Sequence, residues 1–362
     1  MDLLDLLLRY RRVRSRRRVS SEPIAVQDTL RKPERIAVLL GGDPRLPPLV
    51  LPSLRLIRER HPGVKLLLVG GPENVPVFRR DGIADKALAI SPKRGTARIG
   101  EIRRTGRAIA EHDPRILLLL DAPPDPTLLA VALESGAPIR LGFGRGDHAP
   151  FLNFEVAPPE GETYLAQSLL KMVGAVTGCF LGFLDDRVRW KVPEADARRA
   201  ERLIHFWQPR SDRLLVAIEP GAEEPGREPD MEKYVAIARL LSRAYGARVL
   251  IVSSPEERHR AEELERRLDF LEPYRAQTDD LAQAVAFLSR SDLVVSSNTP
   301  LFHYSVAVGI PTVGLFPEKT DPRFLPPAGA PAVIIPLHKE ITEEGFLRAV
   351  ETLAGDGVDA EP

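Results

Sequence analysis

The chain is 362 residues long, beyond the roughly 100–200 residues of a typical single domain, so two domains are expected. Lys+Arg and Asp+Glu are both 51, and zero net charge removes any global field that would draw the protein to nucleic acid. The single cysteine, Cys179, excludes an intrachain disulfide and a cysteine metal finger and fits a reducing compartment.

Residues 1–20 open on Leu3, Leu4, Leu6, Leu7 and Leu8 and then carry seven arginines against Asp2 and Asp5. Such a start is either a solvated helix or a segment held at a membrane interface by anionic headgroups. No apolar run reaches the roughly 18–20 residues that cross a bilayer, and no cleavage site follows an apolar core. The expected location is cytoplasmic, with residues 1–20 a candidate peripheral contact on the inner face of the cytoplasmic membrane.

From Arg35 the pattern changes. RIAVLLGG is an apolar, strand-like run ending in two glycines, LVLPSLRLIRERHPGV has helical spacing stopped by Pro62-Gly63, and VKLLLVGG is a second strand. A weaker strand, KALAI, a helix over Thr96 to His112, the strand RILLLLD, the helix PDPTLLAVALESGAP and the strand IRLGF follow. PFLNFEVAPPEGE reads as a crossing loop and TYLAQSLLKMVGAV as a helix, before a charged stretch from Pro193 to Arg202.

The alternation then restarts. RLLVAIEPG, ARVLIVSS, SDLVVSSN, IPTVGLF and AVIIP read as strands, separated by helices over DMEKYVAIARLLSRAYG, PEERHRAEELERRL, DDLAQAVAFLSRS and LFHYSVAVG, with ITEEGFLRAVETLA last. Asp279 or Asp280 is placed to cap the third of these helices. Strand–helix alternation predicts βαβ units and parallel sheets covered on both faces. The expected division is a basic extension over 1–33, a Rossmann-like domain over 34–190 and a second over 191–362.

Ligands of open parallel sheets bind beyond the carboxyl ends of the strands, which nominates Gly41-Gly42-Asp43, Gly70-Gly71, Asp121 onward, Gly221-Ala222, Ser253-Ser254 and Ser296-Ser297-Asn298-Thr299. Helix N-termini there suit a pyrophosphate. No loop carries GxGxxG or GxxxxGK[ST], so neither a hydride-transfer dehydrogenase nor a P-loop NTPase is supported.

SDLVVSSNTPLFHYSVAVGIPTVGLFPEKTDPRFLPP resembles the signature of glycosyltransferase family 9, the heptosyltransferase-like enzymes. Ser296, Thr299, His303, Ala307, Gly309, Pro311, Thr312, Leu315, Phe316, Thr320, Asp321 and Pro322 stand in matching places. VAIEPGAEEPG, RIAVLLGGD and IRLGFGR resemble further family segments, so the likeness spans the chain after about residue 35.

The resemblance implies an α/β GT-B fold, two Rossmann-like domains with parallel sheets facing a cleft. It implies an inverting, metal-independent transfer from a nucleoside-diphosphate sugar to a lipopolysaccharide or surface-glycan acceptor, lipid-linked or free, with no cofactor. It places the candidate base at Asp43, a ribose contact at Glu256 and the diphosphate at Thr299. The family's acid becomes Asn298, its Gly-Pro becomes Pro300-Leu301, and the lysine after Pro-Gly-Ala has no counterpart, leaving Arg227 as the diphosphate cation beside Gly221.

An apparent insertion, Pro44-Arg45-Leu46-Pro47-Pro48, alters the loop that aims Asp43. On the residues alone, Asp43, Asn298 and Thr299 are equally candidate helix caps. Glu256 is equally a charge on a helix dipole, His303 a buried hydrogen-bonded histidine, and Arg145, the candidate acceptor contact, a solvated loop arginine. The departures keep open a second reading, a catalytically degenerate relative that binds or scaffolds.

Overall fold

The computed structural model describes residues 25–91, 96–121, 124–158, 164–178, 190–207, 212–222 and 229–355. The chain divides into two compact units, Met1–Asp186 and Arg187–Pro362.

The sheet of the first unit is built from β1 (Arg35–Leu40), β2 (Lys65–Gly70), β3 (Lys86–Ala89), β4 (Ile116–Leu120), β5 (Ile139–Phe143) and β6 (Phe154–Val156). All neighbours are parallel, in the order β3-β2-β1-β4-β5-β6. Register follows burial: Ala37 pairs with Leu67 on one side and Leu117 on the other, and all three are buried. On one face Ala37, Leu39, Leu67 and Leu119 pack against Ile102 and Ile109 of the helix Thr96–His112 and Leu128 and Val131 of the helix Pro126–Glu134. Burying both faces makes each strand a continuous apolar run, the feature that exposed these strands in the sequence. PFLNFEVAPPEGE is a correction, since its centre forms β6, whose Phe154, Glu155 and Val156 pair with Leu141, Gly142 and Phe143. Its residues are exposed or half-buried, so it lacks the apolar signal of a buried strand.

The second unit repeats the plan with β7 (Leu215–Ile218), β8 (Arg248–Ile251), β9 (Tyr274–Arg275), β10 (Leu293–Ser296), β11 (Thr312–Phe316) and β12 (Ala332–Pro336). The order is β12-β11-β10-β7-β8-β9, again all parallel. Numbered within each unit, both sheets have the order 3-2-1-4-5-6 of a dinucleotide-binding Rossmann sheet. The core joins Val216, Ile218, Val249 and Val295 to Tyr234, Ile237 and Leu241 of the helix Met231–Tyr245 and Phe346 of the helix Glu343–Gly355. Asp280, rather than Asp279, caps the helix Leu281–Leu288, accepting from Gln283 N at 2.9 Å.

This strand order fixes where a ligand can sit. The winding reverses between the first and fourth strands of each sheet, so loops after β1 and β4 diverge, as do those after β7 and β10, leaving a crevice at the strands' carboxyl ends.

Candidate functional site

In the first unit, the reversal point carries Gly41, Gly42 and Asp43 after β1 and Asp121 after β4. Gly41 is held against Asp121, whose Oδ1 would lie 2.9 Å from any Cβ added there. The loop is tied down by Asn74, a fully buried side chain whose Nδ2 donates to Gly41 O at 3.2 Å and Asp43 O at 3.0 Å. Nothing in the sequence pattern singles out Asn74. Its role exists only because the loops after β1 and β2 meet.

Asp43 does not cap the following helix, Leu46–Arg60, whose N-cap is Arg45 without a side-chain cap bond. Its carboxylate accepts from Arg45 N at 2.9 Å and is clasped by the Arg45 guanidinium, Nη2 to Oδ2 at 2.6 Å. The extra loop residues thus bring the carboxylate its own counter-ion, with the Asp43 side chain 30% exposed. Asp121 Oδ2 accepts from Asp125 N at 3.1 Å, and Asp125 caps the helix Pro126–Glu134.

Arg145 is exposed in the loop after β5, where its backbone N–H donates to Asp147 Oδ1 at 3.2 Å. Beside it, Asp147, His148 and Glu155 bring one oxygen or nitrogen each within 4.8 Å of one another. Glu155 is committed to this turn, accepting from Gly146 N at 2.6 Å and His148 N at 3.1 Å, so the group organises the loop.

The second unit's reversal point is a buried polar cluster. β7 and β10 are neighbours, with Ile218 opposite Val295, and the ladder continues as Glu219 N donates to Val295 O at 2.9 Å. Glu219 is 1% exposed at the end of an apolar strand. Its Oε2 accepts from Ser296 Oγ at 2.6 Å and Thr299 Oγ1 at 2.8 Å, and its Oε1 from Gly221 N at 3.0 Å. A side chain on Gly221 would overlap Glu219 Oε1, so glycine there is a condition for the carboxylate's position. Ser297 Oγ closes the cluster, donating to Gly221 O at 2.8 Å.

Burial pushes the Glu219 carboxyl up to about 7, a rise that the Ser296 and Thr299 hydroxyls oppose and the charge of Glu257 reinforces. Tyr234, fully buried on the helix Met231–Tyr245, has its phenol raised by burial and by the Glu219 charge. Glu219 carries no motif in the sequence. An acid closing the run VAI was its one visible signal.

Thr299 is the N-cap of the helix Pro300–Val308, its Oγ1 accepting from Phe302 N at 3.3 Å. Proline at the first helical position removes one N–H that a bound anion would otherwise meet. One turn on, His303 is fully buried and its Nε2 lies 3.0 Å from Asn298 Oδ1, with the Phe302 and Phe324 rings against it. Asn298 Nδ2, equally buried, has no acceptor among the described residues. Glu256 is exposed in the turn before the helix Arg258–Arg267. Its neighbour Glu257 is the acid whose charge reaches Glu219 and Tyr234. Arg227 lies outside the described residues. The flanks of its segment are bridged by Arg260, whose Nε donates to Pro220 O and Nη2 to Pro229 O at 2.9 Å.

The structure therefore gathers Gly221, Thr299, Asn298 and His303 at one reversal point and sets Asp43 at the other. Arg145 and Glu256 stand in exposed loops, after β5 and after β8. No helix among the described residues is long and apolar enough to cross a membrane.

Comparison with known proteins bears on these clusters. Comparison of the sequence with curated proteins gives no match. Among solved structures, the chain is similar to a glycosyl transferase family 9 protein from Veillonella parvula DSM 2008, with TM-score 0.72 and 18% identity over 89% of this chain and 97% of that one. It is similar to E. coli ADP-heptose lps heptosyltransferase II, with TM-score 0.70 and 20% identity over 89% and 99%. A third likeness is to E. coli heptosyltransferase WaaC with ADP, with TM-score 0.68 and 12% identity over 89% and 98%. These establish a GT-B fold. The sequence model of glycosyltransferase family 9 (heptosyltransferase) matches residues 126–345, more than half of the chain and all of the β7/β10 cluster. The chain belongs to glycosyltransferase family 9.

Proposed function

We propose that this glycosyltransferase moves a sugar, with inversion and without a metal, from a nucleoside diphosphate to a lipopolysaccharide or surface-glycan acceptor. The observation that carries the reading is the polar end of β7 and β10, at a helix N-terminus, inside the segment the family model matches. Two of the neighbours support the donor class, one named for ADP-heptose and lps and one solved with ADP.

In this reading the diphosphate lies at the N-terminus of the helix Pro300–Val308, where aligned peptide dipoles favour an anion, with Gly221, Asn298 and Thr299 around it. The Asn298 Nδ2 donor without an acceptor is a natural contact for a donor oxygen. Arg227 is the proposed cation, Glu256 the ribose contact and His303 a support for Asn298. Asp43 is the proposed base, with Arg145 an acceptor contact. The acceptor hydroxyl attacks the anomeric carbon, its proton passes to the Asp43 carboxylate, and the bond to the diphosphate breaks as the new glycosidic bond forms. Arg45 holds that carboxylate in one orientation and must yield a lone pair for the transfer. The location proposed is cytoplasmic, with residues 1–20 on the inner face of the membrane.

A ligand that binds only the folded state raises its stability by mass action. ADP-, GDP- and UDP-sugars are therefore expected to divide into one class that raises the melting temperature and others that do not. Asp43→Asn should keep that shift while lowering turnover by about 10²-fold or more. If no nucleoside-diphosphate sugar moves the melting temperature, the donor reading is wrong and the binding-or-scaffolding alternative gains; if Asp43→Asn transfers at the wild-type rate, the base is elsewhere.

A further inference from the structure

The β7/β10 cluster holds an anion of its own. At the place where the proposed reading seats a diphosphate, the Glu219 carboxylate takes the Ser296 hydroxyl, the Thr299 hydroxyl and the Gly221 N–H. Thr299 is the cap of the helix Pro300–Val308, so this acid sits directly beneath the helix start. The donors it consumes are those such a seat would turn towards phosphate, and the proline at the first helical position has already removed another. The fit is built, because Gly221 leaves room for the carboxylate and no side chain would.

We propose that Glu219 determines what the donor seat accepts: a nucleoside-diphosphate sugar binds there together with one proton, taken from solvent by the Glu219 carboxylate. This rests on the donor reading above and adds a condition to it.

The physical reason is twofold. An ionised Glu219 and a diphosphate are like charges sharing a site shielded from water, and one of them must be neutralised. Protonation also frees donors. A carboxylic acid Oε2–H can donate to Ser296 Oγ or Thr299 Oγ1, which releases those hydroxyl hydrogens towards a phosphate oxygen. Ser296 Oγ already has an alternative acceptor, Ser297 O, at 3.1 Å.

Among the described residues, no cation hydrogen-bonds to the Glu219 carboxylate. From the helix Met231–Tyr245 comes the buried Tyr234 phenol, and from the turn before the helix Arg258–Arg267 comes Glu257, which adds negative charge. Arg260 on that helix acts electrostatically on Tyr234, with its Nε turned to Pro220 O and its Nη2 to Pro229 O. β10 and the helix Pro300–Val308 present hydroxyls, and His303 is turned to Asn298. With the acid titrating near 7, the proton is exchanged within the working range of pH.

The experiment is calorimetric titration of the full chain with ADP-glucose, GDP-mannose and UDP-glucose at pH 6 and pH 8. The bridging diphosphate of these sugars keeps its charge across that interval, so any proton taken up belongs to the protein. Wild type is expected to bind about tenfold tighter at pH 6, the limit for one proton linked to a group titrating near 7. In buffers of different ionisation enthalpy it should take up nearly one proton per ligand at pH 8 and almost none at pH 6.

Glu219→Gln should bind at both pH values with equal affinity and no proton uptake, because a flipped amide can still accept from Gly221 N while donating to the hydroxyls. Wild-type binding without proton uptake at pH 8 would overturn the proposal even if that variant failed to fold. An unchanged pH dependence in Glu219→Gln would move the proton to another group and overturn it too. Failure of both proteins to bind any of the three sugars at either pH would remove the donor reading itself, a result distinct from binding without a proton.

Discussion

A buried carboxylate with three donors is an unusual expense for a protein core, and Glu219 makes that cost measurable. Its ordinary value is 4.5 and burial raises it to about 7 in the folded chain. Below about pH 4.5 the group is protonated folded and unfolded, and it costs nothing. Between the two values the folded state holds the extra proton, so stability falls as pH rises, and above about 7 the full penalty of about 3 kcal/mol is present. Wild type should therefore lose about that much stability relative to Glu219→Gln between pH 4.5 and pH 8, read from denaturation midpoints measured in parallel. Curves that stay parallel across this range would mean that the carboxyl is ordinary in the folded state. Ser296 and Thr299 were visible from the sequence as matches to a family motif, whereas Glu219 was not, because a single acid after VAI carries no periodic signal.

At the scale of elements, the site depends on two chain ends meeting: the carboxyl end of β7 and the turn from β10 into the helix Pro300–Val308. Gly221 is the contact that lets them close, since any Cβ there would meet Glu219 Oε1 and approach Thr299 Cγ2 at 3.1 Å. Gly221→Ala should cost about 1–3 kcal/mol, the usual range for overpacking a filled interior. Glu219→Ser in the same chain should return much of that loss, because the shorter side chain vacates the overlap. A thermal-melting double-mutant cycle would show coupling of at least about 1 kcal/mol, and simple additivity would mean that the two residues do not compete for space. The elements themselves were readable where burial was complete. β1, β2, β4 and β10 appear as apolar runs, and the helix Thr96–His112 has the predicted bounds. The helix Val75–Asp81 and the strands β6 and β9 were missed, being short and, in the strands, only partly buried.

At the scale of the whole molecule, the balanced net charge conceals an uneven distribution, with seven arginines within the first twenty residues. Each basic residue near an anionic surface contributes about 1 kcal/mol, and salt screens the attraction. Deleting residues 1–20 should release the protein from vesicles containing anionic lipid in a flotation assay while leaving its melting temperature unchanged. Equal binding by the shortened chain would assign any membrane contact to another surface.

The sequence by itself determined the class of the strands and helices other than the short ones, the repetition of one α/β plan in two halves and, through the segment after Leu293, the family. These follow from local rules, because burial on both faces writes itself as apolar runs and the family motif lies in one short stretch of chain. Only the tertiary structure decided which strand ends became neighbours. Glu219 and Ser296 are 77 residues apart, and their hydrogen bond exists because the sheet reverses its winding between β7 and β10. Periodicity reports how deeply a residue is buried but not beside what, so the acid at the heart of this site could be placed only once the two strands stood side by side.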